Sequence, residues 1–227
     1  MGSRILYLII KSTSQSVEEK RNREFDKIFD RNKSELQKKR LRKGLKLPIC
    51  QYKTFPILIF VEQRKSADAL DQYGEESQIG RSEKIFYKFL RSYFGEDNIS
   101  WNRKQIRFKR PDFIFEDKIN SVHIVIEIDE PYIALIGTPI HYFENYEDSV
   151  KEKIYKDCGW TLIRFSESQV FKYPKECCKF IAQVIDYSLG EIKYSNLPDL
   201  KKTNDVPKDN HWDFNEAKNM SLRNSRF

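Results

Sequence analysis

Arg110-Pro111-Asp112-Phe113-Ile114-Phe115-Glu116 is followed, after the polar turn Asp117-Lys118-Ile119-Asn120, by Val122-His123-Ile124-Val125-Ile126-Glu127-Ile128-Asp129, and these two runs decide the fold. The second is rich in β-branched residues and has the length of a strand. Side chains alternate across a strand, so Glu127 and Asp129 share one face. Val122, Ile124, Ile126 and Ile128 take the other, which must be core. Folding the two runs as an antiparallel hairpin about residues 117–120 sets position 116 opposite 121 and position 112 opposite 125. Opposed residues project to the same side. Asp112 therefore joins Glu127 and Asp129 on one sheet face. A register change of two residues keeps that grouping, whereas a change of one destroys it.

On the N-terminal side, Ser82 suits a helix cap, with Glu83 in the favourable first turn. Phe86, Leu90 and Phe94 give that helix its apolar stripe, and Gly95 ends it. A strand is expected over residues 99–108. On the C-terminal side, Pro131 interrupts the strand and an irregular segment runs to Pro139. A helix fits Tyr146 to Asp157, closed by Gly159, and Trp160 to Phe165 reads as a strand. Pro174 opens a last helix that reaches about Leu189. The order is helix, three strands, helix, strand, helix. This is an α/β (α+β) arrangement: a three-strand meander and a crossover helix build a mixed sheet. The last strand lies parallel to the one before the crossover. Residues 80–190 make this core. Residues 1–79 read as an added lobe with strands at Ile5–Ile10 and Pro56–Glu62 and a charged helical arm between them. Residues 191–227 read as a polar tail that packs through Trp212 and Phe214.

The 227 residues carry 41 Lys+Arg against 34 Asp+Glu, a formal charge of +7. Sixteen Phe and twelve Tyr supply a core, so the composition is not that of a disordered chain. A net positive charge suits a polyanionic partner where it clusters. It clusters at Lys38, Lys39, Arg40, Arg42 and Lys43, and again at Lys104, Arg107, Lys109 and Arg110. Both sets suit phosphate contacts, and solvated surface is the plain alternative. Cys50, Cys158, Cys177 and Cys178 form no Cys-x-x-Cys pair, and packing explains them. A reducing, cytoplasmic location is expected. The longest apolar run near the start, Ile5 to Ile10, is too short for a membrane span, so no membrane association is expected. No zinc motif, helix-turn-helix signature or P-loop is visible.

Three acids side by side repel one another, and burying them unpaired is costly. A salt-bridged cluster resolves the repulsion. So does a hard divalent cation such as Mg²⁺, which takes one or two carboxylates plus water and phosphate oxygens. Asp112 and Glu127 are the first ligand candidates, with the strand carbonyl of Ile128 as a third. Such an ion activates water and neutralises a phosphodiester.

Taken in order, Glu83, Asp112-Phe113, Ile126-Glu127-Ile128-Asp129, His141, Asp148-x-x-Lys151 and Gly159-Trp160-Thr161-Leu162-Ile163-Arg164-Phe165 resemble the PD-(D/E)XK nuclease superfamily, in the branch related to very-short-patch-repair (Vsr-like) endonucleases. The likeness covers residues 80–190. It implies a restriction-endonuclease-like core, Asp112 and Glu127 as metal ligands, Glu83 reaching the metal directly or through water, and Trp160 and Phe165 as core. The motif lysine two residues after the glutamate is here Asp129, so the cation that supports the transition state must come from elsewhere. Lys151, on the face of Asp148, is the first candidate. His141 is a base candidate or a satisfied loop histidine. Gln169 is a minor site residue or a cap.

The implied activity is Mg²⁺-dependent (Mn²⁺ substituting) hydrolysis of DNA, with RNA not separated from it, in restriction, repair or mobile-element defence. A homodimer or a partner subunit is expected for a double-strand cut. The rival reading is a non-catalytic nucleic-acid-binding or assembly subunit on a nuclease fold, although binding alone does not need an acid pair. A glycosidase pair lacks any aromatic sugar subsite.

Overall fold

Elements β1 (Thr54–Phe55), β2 (Ile57–Ile59) and β3 (Leu70–Asp71) precede α1 (Arg81–Phe94), β4 (Ile99–Trp101), β5 (Lys104–Gln105), β6 (Phe113–Asp117) and β7 (Val122–Asp129). Then come α2 (Tyr146–Asp157), β8 (Thr161–Ser166), α3 (Glu167–Lys172), α4 (Pro174–Leu189), α5 (Pro198–Lys202), β9 (Asp209–Asn210) and α6 (Phe214–Leu222). This computed structural model describes residues 45–50, 53–62, 70–71 and 81–225. The chain divides into two compact units, Met1–Leu45 and Lys46–Phe227, and all of these elements belong to the second. The expected strand Ile5–Ile10 and the basic arm with Lys38, Lys39, Arg40, Arg42 and Lys43 lie outside the described residues.

The main sheet is mixed and has five strands in the order β2-β8-β7-β6-β4. Strands β6 and β7 form the expected antiparallel hairpin, and β8 returns parallel to β7 after the α2 crossover. The hairpin register differs from the expectation by two residues: Asp117 pairs with Val122 and Phe113 with Ile126. The cause is the turn chemistry. The Asp117 carboxylate accepts from Asn120 N at 3.0 Å and Asn120 Nδ2 at 2.8 Å, which moves the turn to residues 118–121. An offset of two preserves the faces. Continuing the register by one residue sets Asp112 beside Glu127.

The expected strand over 99–108 breaks into β4 and β5. Asn102 adopts a left-handed φ of 50° and its N–H donates to Asp112 O at 3.0 Å. The chain then bridges Ile106 to Lys109 around Arg107, itself at φ 55°. The basic run 104–110 therefore does not line a strand face.

Both sheet faces are covered. Phe86, Leu90 and Phe94 of α1 and Ile181 and Ile185 of α4 pack on Phe113, Phe115, Ile124, Ile126, Ile163 and Phe165. Burying each of the three α1 side chains is worth roughly 1.5–3 kcal/mol, enough to fix the helix that carries Glu83. On the opposite face, Ile154 and Tyr155 of α2 cover Ile114, Val125, Trp160 and Leu162. Trp160 and Phe165 are fully buried, as are Cys177 and Cys178 in α4.

Strand β2, which the sequence placed in a separate lobe, is an edge strand of this sheet, antiparallel to β8. The C-terminal segment also returns to the core. Strand β9 pairs with β1, and Trp212 is buried against Phe55. His211 N donates to Lys53 O at 2.9 Å, Phe143 N to Trp212 O at 2.8 Å, and Ser221 Oγ to Gly137 O at 2.8 Å. Residues 206–225 thus strap the segment 130–143. Under the strap, that segment makes a tight turn in which Gly137 N donates to Ile133 O at 2.7 Å and Tyr132 bridges Pro139. No helix among the described residues is long and apolar enough to cross a membrane.

Candidate active site

Asp112 enters one residue before β6, and its Oδ2 accepts from Ile128 N at 2.7 Å. That bond fastens the carboxylate to the strand bearing Glu127. Glu127 lies on the face covered by α2, where an acid needs donors. It receives two. Lys151 Nζ donates to Oε2 at 2.7 Å and Tyr155 Oη to Oε1 at 2.9 Å. Both donors come from α2, four residues apart, so they lie on one helix face. Asn145 caps that helix, accepting from Asp148 N at 3.2 Å.

Asp129, in the position of the motif lysine, belongs to a different group. Arg164 donates to it from Nε at 2.8 Å. The same guanidinium reaches Asp148 Oδ2 at 2.7 Å and Glu152 Oε1 at 2.5 Å. One buried arginine therefore gathers three carboxylates from β7 and α2. His141 Nδ1 lies 2.9 Å from Asp148 Oδ1 and 3.9 Å from Asp129 Oδ1. His141 has a left-handed φ of 49°, and its carbonyl meets His211 Nε2 at 2.8 Å.

Glu83 is aimed at the same end of the sheet. Its Oε2 accepts from Trp101 Nε1 at 3.2 Å and Asn102 Nδ2 at 3.0 Å. The residue whose backbone holds Asp112 thus also holds Glu83. Gln169 is a cap: with Ser166 it completes the capping box of α3, and its Nε2 donates to Pro207 O at 2.7 Å.

The charges explain the titration of the group. Burial, and then the charge of Glu127, push the Asp112 carboxyl well above the usual range; Lys151 and the Ile128 N–H only partly offset this. Burial would lower the Lys151 ammonium, yet Glu127 and Asp112 raise it above its ordinary value. Burial and Glu127 likewise push the Tyr155 phenol up, so it stays protonated and donates. For His141, burial pulls the imidazole down, but Asp129 and the Asp148 hydrogen bond outweigh it and raise its pKa to about 9. His141 is therefore a cation at neutral pH. In that state the ring donates to Asp148 rather than accepting from it.

This shift has a thermodynamic sign. A folded pKa of about 9 against an ordinary 6.5 gives stability that is fully present below 6.5 and lost as pH rises through 9. His141→Gln is accordingly expected to cost more stability at about pH 6 than at about pH 9.5, by at most about 3 kcal/mol. Denaturant melts of both proteins at the two pH values measure it. An equal cost at both would mean that folding leaves the His141 pKa at its ordinary value.

Asp112, Glu127, Asp129, His141 and Lys151 are thus brought together, with Glu83 beside them. Among the described residues, no group of three or more His, Cys, Asp or Glu side chains is arranged to hold a metal ion. The Asp112–Glu127 pair nonetheless fits a Mg²⁺ ion, which usually takes one or two carboxylates and completes its shell with water and phosphate. The fit rests on the donor set: two carboxylates set side by side by the register, with Asp112 disfavoured as an anion first by burial and then by Glu127. Ile128 contributes its N–H to Asp112, which sets its backbone against the same group.

Of the basic candidates, Lys104 is engaged by the buried Glu116. Lys109 and Arg110 are half-buried and Arg107 is exposed. Tyr155, Arg164, Glu152, Trp101, Asn102 and His211 were not expected at the site. A signal for three of them is present in the chain. Asp148, Lys151, Glu152 and Tyr155 recur at helical spacing on the face that must meet the sheet, and Arg164 sits inside an apolar strand. Comparison with models of known protein families, with curated proteins and with solved structures finds no match.

Proposed function

We propose that this chain is a metal-dependent endonuclease that hydrolyses DNA phosphodiester bonds on a PD-(D/E)XK-type core of the Vsr-like branch. One observation carries the reading: the strand lacks a lysine at position 129, and Lys151 supplies its charge from α2, 2.7 Å from Glu127. Asp112 and Glu127 would hold Mg²⁺, or Mn²⁺ in its place, an ion that neutralises charge on the phosphate and acidifies a water. Lys151 places a fixed positive charge beside Glu127, positioned to orient that water or to offset charge on the phosphate. His141 is held protonated, as a donor at the edge of the group. Asp129 and Arg164 hold α2 against the sheet, and Glu83 braces the Asn102 turn that binds Asp112. The basic residues 107–110 and the arm 38–43 would contact phosphates. A double-strand cut takes two such sites, from a homodimer or a partner subunit.

The test is supercoiled plasmid with Mg²⁺, Mn²⁺ or EDTA, for the wild type and Lys151→Met. Nicking or linearisation that needs metal and falls by roughly 10²-fold in the variant is expected, the usual loss for one charge-stabilising group. Cutting that persists in EDTA would sink the metal reading. If neither protein cuts but both shift DNA in a salt-sensitive way, the non-catalytic binding-subunit reading takes its place.

A further inference from the structure

Glu127 is unusual in having both carboxylate oxygens held from one helix, Lys151 on Oε2 and Tyr155 on Oε1. The two anchors differ in kind. Lys151 is a flexible chain that keeps some exposure. Tyr155 is fully buried, and its ring packs among Ile114, Val125, Trp160 and Leu162. Its hydroxyl is therefore placed by the core, 2.9 Å from Glu127 Oε1.

We propose that Tyr155 is a positioning residue for Glu127: its core-locked hydroxyl sets the plane of the carboxylate, so that the lone pairs not used by Tyr155 and Lys151 face Asp112 and a divalent cation. This rests on the nuclease reading of the site. A carboxylate offers about four acceptor directions. Two donors fill two of them and stop the side chain from rotating, leaving one direction on each oxygen. Without the hydroxyl, Lys151 holds only Oε2, and the carboxylate is free to rotate about that single contact. Groups that orient a metal ligand in this way typically change metal affinity by 10–100-fold when removed. The hydroxyl also separates two functions within one side chain, since the ring belongs to the core and only Oη to the site.

The test is direct Mn²⁺ binding, by calorimetry and by the spin resonance of the bound ion, on the full chain. Tyr155→Phe keeps the ring and deletes only the donor. It is expected to weaken Mn²⁺ binding by 10–100-fold. Ile114→Val, a change in the same cluster that touches no donor, is expected to bind as the wild type does. Para-aminophenylalanine at position 155 keeps a donor in place and is expected to restore affinity; if the Phe variant does not fold, this chain decides alone, and a loss of affinity in it overturns the proposal. Equal binding by wild type and Tyr155→Phe overturns the positioning role and leaves the metal site standing. Absence of Mn²⁺ binding by the wild type overturns the metal site and this inference together.

Discussion

Asp112→Asn is expected to give a protein that is folded, more stable than the wild type, and inactive. The amide oxygen can still accept from Ile128 N, so the link between β6 and β7 survives. What disappears is a negative charge that burial and Glu127 both disfavour. Relief of such a clash at a functional site commonly stabilises by about 1–2 kcal/mol. The same change removes one of the two acids proposed to hold the metal. Metal ions contribute several kcal/mol to phosphoryl chemistry, and each 1.36 kcal/mol is tenfold in rate, so cleavage falls by roughly 10³-fold or more. Stability by chemical denaturation in EDTA and plasmid cutting in Mg²⁺ are read on one preparation. A variant less stable than the wild type would show that Asp112 is a structural acid satisfied by its surroundings.

The second large effect falls on stability. Arg164→Met leaves Asp129, Asp148 and Glu152 without their shared cation, two of them buried. Removing one partner of a buried ionic group costs about 3–5 kcal/mol. For a unit of this size that lowers the melting temperature by roughly 10 °C. The loss is expected to shrink in acid as the carboxylates protonate. Arg164→Lys recovers only part of it, because a single ammonium does not reproduce the fork that meets all three acids. Thermal melts of the three proteins measure this. A drop of under about 1 kcal/mol would mean that the acids find other donors.

The strand pair and its faces were legible because period-2 alternation is a local property. The sequence placed β7 at Val122–Asp129 and α2 at Tyr146–Asp157, and both bounds are those of the structure. The register was two residues out because a side chain, Asp117, rather than the backbone, chooses where the turn begins. The grouping of Asp112 with Glu127 survived only because the error was even. The partners of the acids were less legible. Lys151 was reachable by helix periodicity from Asp148. Arg164 carries no local signal of its partners, since its three acids come from β7 and from α2. Tyr155 looks like core by composition and is core by burial; only its hydroxyl reaches Glu127. The break at Asn102 was invisible because a single left-handed residue leaves no pattern in a β-rich stretch.

The strap formed by residues 206–225 bears on when the site becomes complete. During synthesis every strand of the five-stranded sheet leaves the ribosome before this segment does. The sheet and its two helical layers can therefore assemble first. The segment 130–143, with His141, gains further ties when His211, Trp212 and Ser221 arrive. A chain halted near residue 205 would carry the acid pair on a finished sheet, with His141 held by Asp148 but without the backing of His211. The contacts that tie the His141 segment to residues 211–221 are thus among the last that the described residues can make.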